Sequence, residues 1–422
     1  MRRVLLLGFA GLLAGAGLYL SSGSSGANPP PAAIAGAPIE GAREQAAFES
    51  LATQPVAPRE RAVPEATLKL DAIERVGDHY EAPLGDKRVT LTLDPVLQEQ
   101  AEKLLAEARA PRAAIVAMTP DGKILALAGR RTEEPKGGRK GTPDPALALE
   151  PWAPAASVFK LVTASALVTD HVDPEDKVCY HGGIRSVSES NLRDDKRDNN
   201  CQTLTYGVAH SNNAILGKLA FQHLEPAELA QMAIQLGLGT HEPGLGTTGE
   251  IDLPKDKDLA FAQAAAGFTG SKLSALGGAL LAATFADGGE QPAPRLVADA
   301  SPAALHRVLP EDIAHQVARM MVATCEYGSA ARAFGRHRAV SVAGKTGTLT
   351  RTDPFYMEHS WFVGYAPADK PEIVVAVVLG NPESWHLRAQ EAARRLIDRA
   401  LISATGRESD RGDAPAKRAK RR

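Results

Sequence analysis

The sequence predicts an α+β fold: a central antiparallel sheet flanked by helices, with a further helical lobe. Three observations carry this prediction. Strand patterns gather near both ends of the folded region, helical patterns fill its middle, and the two do not alternate as a parallel α/β sheet requires. The composition suits a folded chain, with 44% hydrophobic and 23% charged residues in 422. A net charge of -2 gives no electrostatic ground for nucleic-acid binding.

Residues 1–22 open with Met1-Arg2-Arg3 and continue as an uncharged apolar run from Val4 to Leu20. This pattern reads as a signal anchor or a cleaved signal peptide. The run approaches spanning length, which favours the retained anchor, and the leading arginines place the N-terminus inside. Ser25-Gly26-Ala27 offers small residues where a peptidase would cut. Residues 23–86 are rich in Pro, Ala, Gly and Ser in their first half and read as a linker.

A folded domain is expected over residues 87–404. Val89, Leu91 and Leu93 alternate with polar residues, a strand signal. Asp94-Pro95 then opens a helix through Leu97, Ala101, Leu104 and Leu105, with Asp94 as cap and Pro95 at its first position. Apolar runs at 113–118 and 123–128 around Pro120-Asp121-Gly122 give a hairpin. Helical patterns follow at 157–169, 205–222, 226–236, 272–286 and 311–325. Strand patterns return at 339–344, 360–365 and 372–379, and a last helix covers 386–402. The polar, basic residues 405–422 read as a disordered tail.

Three short motifs stand in order: Ser157-Val158-Phe159-Lys160, Ser211-Asn212-Asn213 and Lys345-Thr346-Gly347-Thr348. Each alone has a plain structural reading. Ser157 suits a helix cap followed by a snorkelling lysine, Ser211 and Asn213 suit caps, and Lys345 suits a strand-end surface lysine. Their joint order is far harder to obtain by chance. The first opens an apolar helix, the second lies in a helical segment, and the third ends a strand.

The set resembles the transpeptidase domain of penicillin-binding proteins, within the β-lactamase-like superfamily. Further stretches carry the same likeness: 89–98 resembles the family's opening strand and helix, and 113–128 its first hairpin. Tyr327-Gly328-Ser329-Ala330-Ala331 is similar to a Gly-rich turn ahead of the third motif, and Trp361 to Pro367 to the strand after it. The resemblance covers about 87–403 and implies the penicillin-binding transpeptidase fold. It implies Ser157 as nucleophile, Lys160 as its base and Ser211 as proton relay. It implies that Asn213 holds the substrate's peptide amide. Lys345, Thr346, Gly347 and Thr348 would form the substrate-binding strand, the first two and Thr348 taking a terminal carboxylate. Main-chain N–H groups of Ser157 and Thr348 would form the oxyanion hole.

The physics agrees with these roles. A serine hydroxyl needs a base, and a lysine one helical turn away can reach it. Burial among Phe159, Leu161 and Val162 would lower the lysine's pKa. Ala156 stands where many relatives carry glycine, which is harmless if the position needs no positive φ. Cys179 and Cys201 flank a polar insertion just ahead of the second motif. In an oxidising compartment they would pair, and in a reducing one stay free thiols. Cys325 and His210 read as packing residues. Cys179, His181 and Cys201 are too few and too badly spaced for zinc, so no metal or other cofactor is expected.

The expected activity is a serine D,D-transpeptidase acting on D-Ala-D-Ala stem peptides of peptidoglycan and acylated by β-lactams. Rivals are a D,D-carboxypeptidase, a β-lactamase and a penicillin-binding sensor without turnover. The expected site of action is the bacterial periplasm or cell exterior, at the inner membrane or released from it. The resemblance also admits a glycosyltransferase partner.

Overall fold

The computed structural model describes residues 68–132, 141–300, 305–335 and 340–412, with side chains described up to Ile402. The predicted signal or anchor at 1–22 and the end of the predicted tail lie outside these residues. Among the described residues, no helix is long and apolar enough to cross a membrane.

A six-stranded sheet organises the domain. Its strands are β1 (Arg112–Met118), β2 (Ile124–Arg131), β3 (Thr142–Pro143), β4 (Ala343–Arg351), β5 (Met357–Ala366) and β6 (Ile373–Asn381). Their order is β4-β5-β6-β1-β2-β3, and every neighbouring pair is antiparallel. Side chains of a strand alternate between faces, and here both faces are covered. Ala114, Val116 and Met118 join one core with Trp361, Val363 and Val378. Ala113, Ile115 and Ala117 join the other with Phe362, Val375 and Val377. This is why Ile373–Asn381 is a near-continuous apolar run: it lies centrally, between β5 and β1.

Helix α1 (Pro95–Ala108) and the long C-terminal helix Ala389–Gly412 pack on the second face. Asp94 caps α1 as predicted, its Oδ1 accepting from the N–H groups of Val96 (3.0 Å) and Leu97 (3.1 Å). The first face carries the helix Ala275–Ala286 and, beyond it, the helical lobe. There Gly278 lets helix and sheet approach, since an added Cβ would come within 3.0 Å of Val363 Cγ1.

Four expectations are corrected. The segment read as linker to residue 86 is ordered from Leu68 onward. Strands Glu74–Val76, His79–Leu84 and Lys87–Thr90 form a separate small sheet. Their tight Gly77-Asp78 and Gly85-Asp86 turns explain it, with positive φ at both glycines, 61° and 59°. Arg88 adds ion pairs to Glu74 (3.0 Å) and Glu81 (3.1 Å). The predicted strand 89–93 thus belongs to this small sheet, not to the central one, and ends at Thr90. The helix expected at 205–222 is two helices, broken at 210–212 for a reason given below. The last helix continues to Gly412, into the predicted tail; Arg399, Ala400, Leu401 and Ala404 favour the continuation, while Gly406 and Gly412 do not.

Candidate active site

The first motif begins in a 3₁₀ turn, Ala156–Phe159, that runs directly into α2 (Lys160–Thr169). One tight turn brings Lys160 Nζ to 2.8 Å from Ser157 Oγ. Lys160 is fully buried, while Ser157 stays partly open to solvent. Nζ also donates to Asn213 Oδ1 at 2.7 Å and to the Ala266 carbonyl at 2.6 Å. Burial lowers the lysine's pKa well below its ordinary value, and the nearby Lys345 charge lowers it further. The partner set then fixes where the lone pair points. Asn213 Oδ1 and the Ala266 carbonyl only accept, so they keep the two protons of a neutral amine. The lone pair is left for the Ser157 hydroxyl.

The second motif sits at a helix junction. The helix Leu204–Ala209 ends with Ser211 in the left-handed region at φ 56°. Asn212 N–H bonds the Gly207 carbonyl (2.8 Å) and Ser211 N–H bonds the Val208 carbonyl (3.2 Å). That pair of bonds is a Schellman ending, at which glycine is the usual left-handed residue. Asn212 then caps α3 (Asn213–His223) by accepting from Ile215 N–H at 3.2 Å. This stop and restart breaks the expected single helix and presents Ser211 Oγ and the Asn213 amide together. His210 packs between Tyr206 and Tyr327, with ring centroids 4.1 and 5.9 Å away.

The third motif lies early in β4, not at a strand's end, and β4 is an edge strand of the sheet. Lys345 is fully buried, so its ammonium is not exposed to take a carboxylate directly. Its Nζ donates to Ser211 Oγ (3.1 Å) and to the Thr346 carbonyl (3.0 Å). Burial brings its pKa down to about 7. Ser211 thus takes its hydrogen bond from Lys345 and not from Lys160. Thr346 is also buried, its hydroxyl paired with Ser329 Oγ at 2.6 Å. Thr348 is the exposed member of the set. Gly347 lies against the Ala156–Phe159 turn, where an added Cβ would stand 3.4 Å from both Ser157 N and Ala156 Cβ.

Ala156 overturns one expectation: its φ is 50°, so the residue before Ser157 does occupy the left-handed region. For an alanine this stores on the order of 1–2 kcal/mol of strain. The conformation turns the Ala156 carbonyl onto Gly267, where an added Cβ would come within 2.1 Å of it. Sequence reading missed Gly267, the Ala266 carbonyl, Ser329 and Arg185, whose carbonyl accepts from Asn213 Nδ2 at 2.6 Å. Main-chain acceptors leave no residue-type signal. Ser329 stood inside a noticed turn, and its hydroxyl three residues from a helix end was the available clue.

Cys179 and Cys201 are joined in a disulfide, and Cys325 is a buried thiol. A cleft of about 550 Å³ opens at the Arg351 end of β4, lined by Trp152, Ser271, Lys272 and Asp353 among others. None of the motif residues lines it.

Residues 113–398 match the family model described as the penicillin binding protein transpeptidase domain. Stage V sporulation protein D of Bacillus subtilis is 28% identical over 338 residues, covering 72% of this chain and 51% of that protein. Peptidoglycan D,D-transpeptidase PbpA of Mycobacterium tuberculosis is 25% identical, covering 69% of this chain and 67% of that protein. The chain spans about half the length of the sporulation protein and of penicillin-binding protein PbpB of Mycolicibacterium smegmatis. Among solved structures, the D,D-transpeptidase domain of a peptidoglycan glycosyltransferase from Eggerthella lenta superposes with a TM-score of 0.61 at 25% identity. That match covers 75% of this chain and 83% of that one. The ceftriaxone acyl-enzyme of penicillin-binding protein A from M. tuberculosis gives 0.58 at 22% identity, covering 75% and 79%.

Proposed function

Since this chain belongs to the penicillin-binding protein transpeptidase family, we propose that it is a serine D,D-transpeptidase of peptidoglycan. The observation that carries the reading is the 2.8 Å contact between Ser157 Oγ and a buried lysine whose other two partners are acceptors only. Lys160 Nζ takes the hydroxyl proton as Oγ attacks the carbonyl between the two terminal D-alanines. The N–H groups of Ser157 and Thr348 receive the developing oxyanion, and Gly347 keeps that space open. The C–N bond then breaks, and the departing D-alanine amine receives a proton from Ser211, which is resupplied by its own donor, Lys345 Nζ at 3.1 Å. An acceptor amine attacks the acyl-enzyme, forming the crosslink and freeing Ser157. With a β-lactam the broken amide stays tethered within the opened ring, so the ester persists.

The partners follow from the same reading: stem peptides, β-lactams and a glycosyltransferase that makes the strands to be crosslinked. The arginine-led apolar run of residues 1–22 supports a periplasmic or exterior location, tethered to the inner membrane or released.

The test is labelling with a fluorescent penicillin. A stable adduct is expected on the wild type and none on Ser157→Ala; labelling that survives the substitution would sink the reading. Rapid loss of the adduct would point to a β-lactamase. Products from stem-peptide donors, with and without an amine acceptor, separate crosslinking from trimming.

A pH dependence also follows. Lys160 must be neutral for attack, and its lowered pKa moves the rising limb of kcat/KM far below 10.5. Lys345 supplies positive charge under the carboxylate site and loses it as pH rises through about 7. Acylation by a carboxylate-bearing penicillin is therefore expected to fall above about pH 7. A penicillin ester should lack that fall; an identical profile for acid and ester would contradict the assignment.

A further inference from the structure

The insertion between Cys179 and Cys201 is built onto the helix that carries Asn213. The disulfide links its two ends, where Lys177–Tyr180 pairs with Asn200–Thr203. Lys218 of α3, fully buried, donates to the Cys179 carbonyl and to Asp198, both at 2.7 Å. Asp198 also bonds His181 at 2.6 Å, and Asn191 exchanges two bonds with the His181 main chain (2.7 and 3.2 Å). Val187 seats on Gly217 of α3, where an added Cβ would meet it at 2.8 Å. The loop base is therefore fixed. Its tip leaves that base through Gly182 and Gly183, whose Cβ positions face open space, and returns at Ile184 and Arg185.

The tip touches the catalytic machinery twice. The Ile184 carbonyl accepts from Asn213 N–H at 2.7 Å, and the Arg185 carbonyl accepts from Asn213 Nδ2 at 2.6 Å. The second contact bears on the base. With its amide reversed, Asn213 would aim N–H donors at the lone pair of neutral Lys160, in competition with the Ser157 hydroxyl. Its Oδ1 would then face the Arg185 carbonyl, acceptor against acceptor.

We propose that the disulfide-closed loop is a positioning element for the base. Through the Arg185 carbonyl it holds the Asn213 amide in the orientation that leaves the Lys160 lone pair on Ser157. The loop touches no reacting atom; it acts through Asn213. One Nδ2–H stays uncommitted and remains available to a bound peptide. This inference rests on Ser157 being the acylated residue.

The experiment uses the full chain with Gly183 deleted, which draws the Arg185 carbonyl away while keeping the disulfide and Asn213. Stopped-flow acylation by a chromogenic β-lactam separates the acylation rate constant from the binding constant. The expected result is about a tenfold lower acylation rate constant, or ~1.4 kcal/mol, with binding within about twofold and full labelling at the endpoint. An unchanged rate constant, or a loss confined to binding, overturns the proposal. If the deletion does not fold, Cys179→Ser with Cys201→Ser releases the loop base instead. It should lower the same rate constant, and a wild-type rate constant in that variant overturns the proposal. Wild-type protein that forms no adduct would sink the functional reading itself, a distinct outcome.

Discussion

Lys160→Met is expected to lower the acylation rate by about 10² to 10⁴-fold while Ser157 remains in place, the range a positioned general base supplies. Methionine matches the lysine's length and fills the buried site, so packing around Phe159 and Leu161 should change little. Two acceptors, Asn213 Oδ1 and the Ala266 carbonyl, then lose their donor. An unpartnered buried acceptor costs on the order of 1–3 kcal/mol. Offsetting this, an amine held neutral against its preference is removed. The expected signature is a small change in Tm beside a very large loss of acylation, measured by thermal unfolding and timed penicillin labelling. Acylation within tenfold of wild type would show that another group takes the Ser157 proton.

Ser211→Gly is expected to separate stability from activity. The residue stands at φ 56°, where glycine carries no Cβ penalty. Relief of about 1–2 kcal/mol of left-handed strain is opposed by the extra freedom glycine gives the unfolded chain, about 0.4–1 kcal/mol. These two effects leave about 0 to 1.6 kcal/mol in favour, set against about 1 kcal/mol for the lost Lys345 hydrogen bond, so Tm should change by no more than a few degrees. The substitution also removes the acceptor of Lys345 and the proposed relay to the leaving amine. Turnover of stem peptide should fall by about 10² to 10³-fold. β-Lactam acylation, which expels no leaving group from the site, should fall less. Equal losses for both substrates would argue against a relay.

Much of this site was legible because it is made of side chains in short local spacings. Ser157 and Lys160 meet through one turn, and Lys345 to Thr348 share one strand, so their types and spacing carried the information. The fold class followed from the same local periodicities. What escaped was backbone. The Ala266 and Arg185 carbonyls complete the hydrogen bonding of Lys160 and Asn213 from 106 and 28 residues away in sequence. Any residue type supplies a carbonyl, so nothing marks those positions. Left-handed φ at Ala156 and Ser211 was hidden for the opposite reason: both residue types argue against it, and tertiary contacts impose it. The strands between Glu74 and Leu84 were missed because their Gly-Asp turns lay inside a segment judged by the composition of its first half.

Three cysteines allow three ways to form a single bridge, yet a stable product needs only Cys179 joined to Cys201. Cys325 lies on the buried face of the helix Glu311–Glu326, and burial raises its thiol pKa far above the ordinary value. Exchange proceeds through attack by a thiolate. Once the core has closed, the odd sulfur is buried and not ionised, so it does not attack the bridge. Native packing thus acts as a lock on connectivity: mispairing has to occur before the helix docks, and the native pairing does not reshuffle afterwards.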